Sequence, residues 1–352
     1  MAGMKGKPTS FDIAYKAGVS QATVSRALRG SPLVSVETRR RIQAIAKELN
    51  YKVDKNASNL RRQHSVTLAL LLFEDPTSDD SLINPFFLSM LGSITRACAR
   101  QGYDLLISFQ QLSDDWHADY QDSHKADGLI LLGYGDYLVA RSKLERLVEQ
   151  GTHFVRWGAV VPGQPGISIG CDNVQGGRAI TEHLLRLGHR RIAFIGDASP
   201  NSPEFFDRYK GYAEALLAAE IDVDSGLQVN AADSTESVGF RAMRELLERE
   251  VKFDAVFAVS DLIAIGAMRA LDAHGLRVPA DVGVVGFDDI PAAGYANPAL
   301  TTVAQDTKRA AEVLVDNLIR QVRNEPVTSV MQPAKVVVRR SCGSQDWLLS
   351  QD

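Results

Sequence analysis

From residue 64 onward, short apolar runs alternate with stretches of helical period. Residues 66–73, 105–109, 128–132, 153–157, 191–196, 227–230, 255–259 and 282–287 read as strands. Between them, 85–101, 138–150, 174–187 and 205–219 read as helices. Strands that are almost wholly apolar and alternate with helices belong in parallel sheets covered on both faces. The second half repeats the first in kind, so the pattern predicts two doubly wound α/β domains.

Before residue 64 the pattern changes to three short helices. Thr9 or Ser10 can cap a first helix through Asp12, Ile13, Ala14 and Ala17, which stops at Gly18. Ser20 opens a second helix over 21–28. Ser35 opens a third, with Ile42, Ile45, Ala46 and Leu49 on one face and Asn50 at its end. Helix, glycine turn, helix is the arrangement that lays its second helix in a DNA major groove. The side chains presented there are Gln21, Ala22, Ser25 and Arg26, and Gln and Arg suit bidentate readout of adenine and guanine.

Charge sharpens this reading. The chain has 352 residues and a net charge of −4, but residues 1–63 hold thirteen Lys/Arg against four Asp/Glu. The head is therefore +9 and the remainder −13, which predicts a polyanion partner for the head alone. Residues 51–63 are too polar to make a core. They form either a linker or a segment that orders on a partner, and Leu60 beside Arg61 and Arg62 has the form of a minor-groove wedge.

The run from Thr9 to Tyr51 resembles the DNA-binding head of the LacI/GalR family of bacterial transcription regulators. The resemblance continues through NPFF (84–87), DGLILL (127–132), LLRLGHRRIAFIGD (184–197), SDLIAIGAMRAL (260–271), LRVPADVGVVGFDD (276–289) and PALTTVAQD (298–306). It implies a homodimer on palindromic operator DNA, with a small effector controlling affinity. It also implies an α/β fold: an all-α helix-turn-helix head and a bilobed, periplasmic-binding-protein-like body. The expected division is a head at 1–52, a hinge at 53–63, a body at 64–342 and a tail at 343–352. Within the body, lobe 1 would take 64–170 and 301–330, and lobe 2 would take 171–300 and 331–342. The helix around 307–323 would return to lobe 1, and 335–341 to lobe 2. The tail is too short for the heptads of a coiled coil.

On this basis Thr9, Ser10, Thr38, Arg39 and Tyr51 are expected at phosphates. Gln21, Ala22 and Arg26 are expected at bases with Ser25 beside them, and Asn59 and Leu60 in the hinge contact. Ligands of doubly wound sheets gather beyond the carboxyl ends of the strands. Asp75, Asp136, Trp157, Asp197, Arg208, Ser260, Asp261, Asp288 and Asp289 stand there. Asp136, Trp157, Arg208, Ser260 and Asp288 are the expected effector residues, of which Arg208 and Asp288 match family positions that touch effectors. Trp157 also reads as core, and Asp261 and Asp289 also read as caps of the segments that follow them. Carboxylates, an arginine and an aromatic face suit a sugar or sugar derivative. Ser260 and Trp157-Gly158 depart from the family pattern, so no known effector is carried over.

Other classes fit less well. The sequence has no phosphate loop, no dinucleotide fingerprint and no HExxH, and its seven histidines form no i, i+4 ligand pair. An enzyme, a metal and a cofactor are therefore not expected. No apolar run reaches membrane-spanning length and no signal peptide is evident, which predicts a cytoplasmic protein. Cys98, Cys171 and Cys342 match no metal or redox spacing and read as buried apolar residues. The competing readings are a sugar-binding protein without a regulatory DNA role, and a regulator of purine or nucleoside genes.

Overall fold

In a computed structural model of the chain, the described residues are 8–28, 30–51, 64–73, 83–110, 114–133 and 137–344. They divide into two units between Ser65 and Val66.

The first unit is the helical head: α1 (Ser10–Ala17), α2 (Gln21–Leu28) and α3 (Val36–Glu48). Thr9, not Ser10, caps α1. Its hydroxyl accepts from the Asp12 N–H while the Asp12 carboxylate accepts from the Thr9 N–H at 2.7 Å, a reciprocal capping box. Gly18, at φ +65°, makes the left-handed turn that a Cβ would disfavour. Ser20 and Ser35 accept from the Thr23 and Thr38 N–H groups, each at 3.2 Å. Ile13, Ala17, Val24, Ala27, Ile42 and Ala46 close the small core between the three helices.

The second unit has two lobes. Lobe 1 contains β1 (Thr67–Leu72), α4 (Pro85–Arg100), β2 (Asp104–Phe109), β3 (Gly128–Leu132), α5 (Tyr137–Glu149), β4 (Phe154–Trp157) and β5 (Ile167–Cys171). Lobe 2 contains α6 (Asn173–Arg186), β6 (Ile192–Ile195), α7 (Pro203–Ala218), β7 (Gln228–Val229), α8 (Glu236–Glu248), β8 (Ala255–Ala258), α9 (Asp261–Ala273), β9 (Gly283–Val285), α10 (Pro291–Tyr295) and β10 (Thr302–Ala304). The chain then returns to lobe 1 for α11 (Thr307–Val322) and β11 (Val330–Gln332), and ends in lobe 2 with β12 (Lys335–Val337).

The lobe 1 sheet is parallel, in the order β11-β5-β4-β3-β1-β2, and the lobe 2 sheet is parallel, in the order β7-β6-β8-β9. Antiparallel β10 and β12 attach to lobe 2 through bridges from Val285 to Thr301 and from Asp288 to Ala304. The pattern β2-β1-β3-β4 in one lobe is β7-β6-β8-β9 in the other. Strand order therefore reverses between β1 and β3 and between β6 and β8, the positions where such sheets open a ligand crevice.

Several details differ from the sequence expectation, among them residues 331–332, which extend β11 in lobe 1 rather than lobe 2. Strand β5 was not expected, because Ser168 and Gly170 interrupt its apolar run. Ser168 is nonetheless buried, since its Oγ accepts from Arg156 Nε at 2.8 Å and donates to Gln164 Oε1 at 3.2 Å. Residues 301–304 stand in lobe 2 rather than lobe 1. Thr301 and Thr302 are wholly buried there, and the Thr302 hydroxyl hydrogen-bonds to Asp261.

Glycines let the lobe 2 helices touch backbone to backbone. A Cβ on Gly177 would lie 2.2 Å from the Arg208 carbonyl oxygen, and one on Gly211 2.1 Å from that of Val174. Gly239 and Gly266 serve α8 and α9 in the same way, against the Ile263 and Glu236 carbonyls. The first crossing fixes how close Arg208, on α7, comes to Asn173 at the start of α6.

Candidate functional site

Helix α2 has a buried side, Val24 and Ala27, and an outer side. Ala22 and Arg26 are exposed there, with Gln21 and Ser25 partly so. The Gln21 amide donates to Ser10 Oγ at 3.1 Å, so α1 holds the first side chain of α2 in place. Thr9 is exposed at the head of α1. Thr38, at the start of α3, accepts from Ser35 Oγ at 2.9 Å. Arg39, expected at a phosphate, turns back on the head: it donates to the carbonyls of Ser31 at 2.7 Å and Val34 at 3.2 Å. Tyr51 packs half-buried on the head core. Asn59 and Leu60 lie outside the described residues.

In the body, Arg208 and Asp288 come together. Arg208 is 1% exposed and Asp288 4%, and their nearest atoms are 3.4 Å apart. Arg208 Nε also donates to Asn173 Oδ1 at 2.9 Å, and its Nη1 donates to the Val259 carbonyl. Its guanidinium lies 3.8 Å from the Phe287 ring centroid and 5.4 Å from that of Phe205, close enough for cation–π attraction. Asp288 accepts from Gln305 Nε2 at 2.7 Å. Asp288 and the following Asp289 have φ of +112° and +54°, conformations that cost free energy unless their surroundings hold them. Here the two carboxylates go separate ways, Asp288 to Arg208 and Asp289 to Arg339 at 2.7 Å. Asp289 therefore does not act as the cap expected of it.

Ser260, wholly buried, caps α9, its hydroxyl accepting from the Ile263 N–H at 3.4 Å. The cap was expected of Asp261. That carboxylate points away instead, accepting from the Ile290 N–H at 2.8 Å and from the Thr302 hydroxyl. Burial, and then the nearby Asp288 charge, push the Asp261 carboxyl well above the usual carboxylate range. Trp157 is 5% exposed and packs beside Phe86, ring centroids 6.0 Å apart, in the lobe 1 core. Asp197 accepts from Ser199 N and Ser202 Oγ and shapes the turn before α7. Asp75 and Asp136 lie outside the described residues.

Sequence reasoning missed Asn84, Asn173, Ser234 and Gln305, whose polar atoms lie at the strand ends among these groups. Asn84, directly before Pro85, carried a helix-start signal; the others carried none. Also passed over was a Gly-x-Ser-x-Gly run at 166–170, the spacing of a serine nucleophile elbow. Ser168 sits within β5 rather than at a strand-to-helix turn, and its hydroxyl is bound to Arg156 and Gln164. Among the described residues no His/Cys/Asp/Glu group could hold a metal ion, and no helix is long and apolar enough to cross a membrane.

A helix-turn-helix head joined to a two-lobed body with polar groups at its switch points defines a DNA-binding regulator that carries a ligand-binding module. Comparison with known proteins agrees. Residues 11–54 match the family of bacterial regulatory proteins named for lacI, and residues 181–342 match a periplasmic binding protein-like domain. The transcriptional regulator CelR of Thermobifida fusca is 35% identical over 345 residues, 95% of this chain and 98% of its own. The ribose operon repressor of Escherichia coli K12 is 30% identical, over 89% of this chain and 93% of its own. Among solved structures, a lac repressor dimer bound to operator and an anti-inducer superposes with a TM-score of 0.81 at 25% identity, covering 96% of this chain and all of that one. A CelR–cellobiose complex superposes with a TM-score of 0.69 at 32% identity, covering 95% and 99%. The chain belongs to the LacI family of bacterial transcription regulators and is not an enzyme.

Proposed function

We propose that the chain is a cytoplasmic, homodimeric repressor whose operator affinity is set by a neutral carbohydrate, or a close derivative of one, bound between the lobes. The observation that carries the effector class is the charge balance at the switch points. The buried cation, Arg208, is matched by the buried anion Asp288. Among the described residues around them, Asn84, Asn173, Ser234, Ser260 and Gln305 add neutral hydrogen-bonding groups, the Asp197 carboxylate is held by Ser199 and Ser202, and the Phe205 and Phe287 rings lie alongside. Buried polar groups of this kind favour a ligand rich in hydroxyls over one with net charge. Likeness to CelR, solved with cellobiose, supports the same class.

Dimerisation follows from the need to place two heads on a palindrome. Both lobes have surface suited to it: Leu88, Leu106 and Ile107 lie exposed on α4 and the edge strand β2, and Tyr295 on α10. An uncovered apolar edge strand invites a partner. The test is a thermal-shift panel of cellobiose, other mono- and disaccharides, and purines, since a ligand of the native state raises its melting temperature. A hit is then added to the protein–operator complex. The reading expects a sugar to stabilise the protein and change operator retention. Stabilisation by a purine alone would replace the effector class, and no effect of any hit on operator binding would overturn ligand control.

A further inference from the structure

Among the described residues, two hydrogen-bonded crossings outside the connecting segments join the lobes at the carboxyl ends of the sheets. In the first, Asn84 Nδ2 of lobe 1 donates to Ser234 Oγ of lobe 2 at 3.2 Å, and Ser234 Oγ donates to Ser260 Oγ at 2.7 Å. Both ends of this relay are helix caps. Asn84 Oδ1 accepts from the Phe86 N–H at the start of α4, and Ser260 Oγ accepts from the Ile263 N–H at the start of α9. One serine hydroxyl therefore ties the first turn of a lobe 1 helix to the first turn of a lobe 2 helix. In the second crossing, the Ala159 N–H beyond β4 donates to Glu204 Oε1 in the first turn of α7 at 2.8 Å. Arg156 steadies that loop by donating to the Ala159 carbonyl at 3.0 Å.

One crossing leaves lobe 1 at the start of α4, the helix that follows β1, and the other from beyond the end of β4; β3 lies between β1 and β4 in the sheet. The crossings enter lobe 2 on either side of Arg208: Glu204 lies one turn before it on α7, and Ser260 follows Val259, whose carbonyl Arg208 binds. Two bonds held apart across a crevice resist both opening and twisting of the lobes, which one bond cannot do.

We propose that Ser234 and Glu204 are positioning residues that together form an interlobe clasp, holding the lobes at the spacing that buries Arg208 and Asp288. The clasp acts as one unit. Loss of either crossing lets the lobes part and loosens the other. Its bearing on effector affinity rests on the function proposed above; its existence does not.

The test is hydrogen–deuterium exchange of the full-length protein, read at the peptide that carries the Ala159 amide. Glu204→Ala removes the acceptor, so exchange there should quicken about tenfold or more, the weight of one hydrogen bond to a charged group. Glu204→Gln keeps a carbonyl acceptor and should restore most of the protection. The decisive variant is Ser234→Ala, which touches neither Ala159 nor Glu204. A clasp predicts that it too quickens exchange at Ala159, with β3 unchanged and Ser234→Thr close to wild type. Exchange at Ala159 unchanged in Ser234→Ala would make the two crossings independent contacts and overturn the clasp. If β3 also quickens in Ser234→Ala, the comparison moves to Ser234→Cys, which keeps the volume and weakens only the hydrogen bond, and the same two results decide. Cellobiose is then titrated into each protein, with the clasp variants expected to bind it about tenfold more weakly than wild type. Equal affinities would overturn the clasp's role in ligand binding. Coupled exchange in a protein that binds no sugar would uphold the clasp and overturn the proposed effector class.

Discussion

Arg208 and Asp288 show how a buried pair constrains what single substitutions can report. Each neutralises the other almost out of reach of water. Removing one partner leaves a buried charge uncompensated, typically at a cost of about 3–5 kcal/mol. Arg208→Ala and Asp288→Ala should therefore each lower the unfolding free energy of the body by about that much, as well as abolish ligand response. The double variant Arg208→Ala/Asp288→Ala should lose less than the sum of the two. Denaturant titration of the three proteins checks this, and additive losses would mean that the pair is not coupled. In the head the reverse situation holds. Arg26 is exposed on the outer side of α2, so its replacement should spare the fold. Arg26→Ala should cost about 1–3 kcal/mol of operator affinity at one base pair and relax the preference there. A uniform loss on all DNA sequences in a binding assay would assign Arg26 to a phosphate.

Whole elements set the positions of these groups. Gly177 allows α6 and α7 to meet at backbone distance, and Ala at this position would drive a Cβ to 2.2 Å from the Arg208 carbonyl. Gly177→Ala should destabilise the body by about 1–3 kcal/mol, the usual cost of overpacking, and weaken ligand response by shifting α7. A melting curve together with a ligand titration separates the two effects, and an unchanged melting temperature would show that the helices can part freely. Where α9 begins, Asp261 ties the corner before α10 and strand β10 together. Its folded carboxyl is raised well above the usual carboxylate range by burial and then by the nearby Asp288 charge. A raised acid contributes stability that is full below its unfolded pKa and is lost as pH rises through the folded value. Asp261→Asn can keep both hydrogen bonds and has nothing to ionise. Its melting temperature relative to wild type should therefore rise as pH climbs above the ordinary carboxylate range. A difference that stays flat with pH would mean that Asp261 does not titrate in this range.

For the molecule as a whole, the proposed function requires reciprocity. A ligand that weakens operator binding tenfold must itself bind the operator complex about tenfold less tightly than the free protein. Titration with and without operator measures this, and equal ligand affinities would rule out coupling between the sites. The Cys98 and Cys171 thiols are poorly suited to redox control. Both are buried, and burial raises Cys98 to about 11 and Cys171 to about 12, which suppresses the reactive thiolate.

The pattern along the chain was enough to set the elements and their class. Period and burial coincide in Ile13, Ala17, Ile42 and Ala46 of the head and in 68–72 and 192–195 of the body, because a face that must leave water is written as a repeat along the chain. Cap signals at Thr9, Ser20 and Ser35 were local for the same reason: donor and acceptor lie within three residues of each other. Family motifs then drew attention to Arg208 and Asp288. Which groups meet was set by folding. Ser168 looked like a break in a strand until Arg156 from the neighbouring strand satisfied it. Asp261 looked like a cap until Thr302, 41 residues away, took one of its oxygens. Ser234 carried no signal along the chain, and folding placed it between Asn84, 150 residues before it, and Ser260. A hydrogen bond depends on atoms within about 3 Å, and no pattern along one chain records partners that distant folding alone brings together.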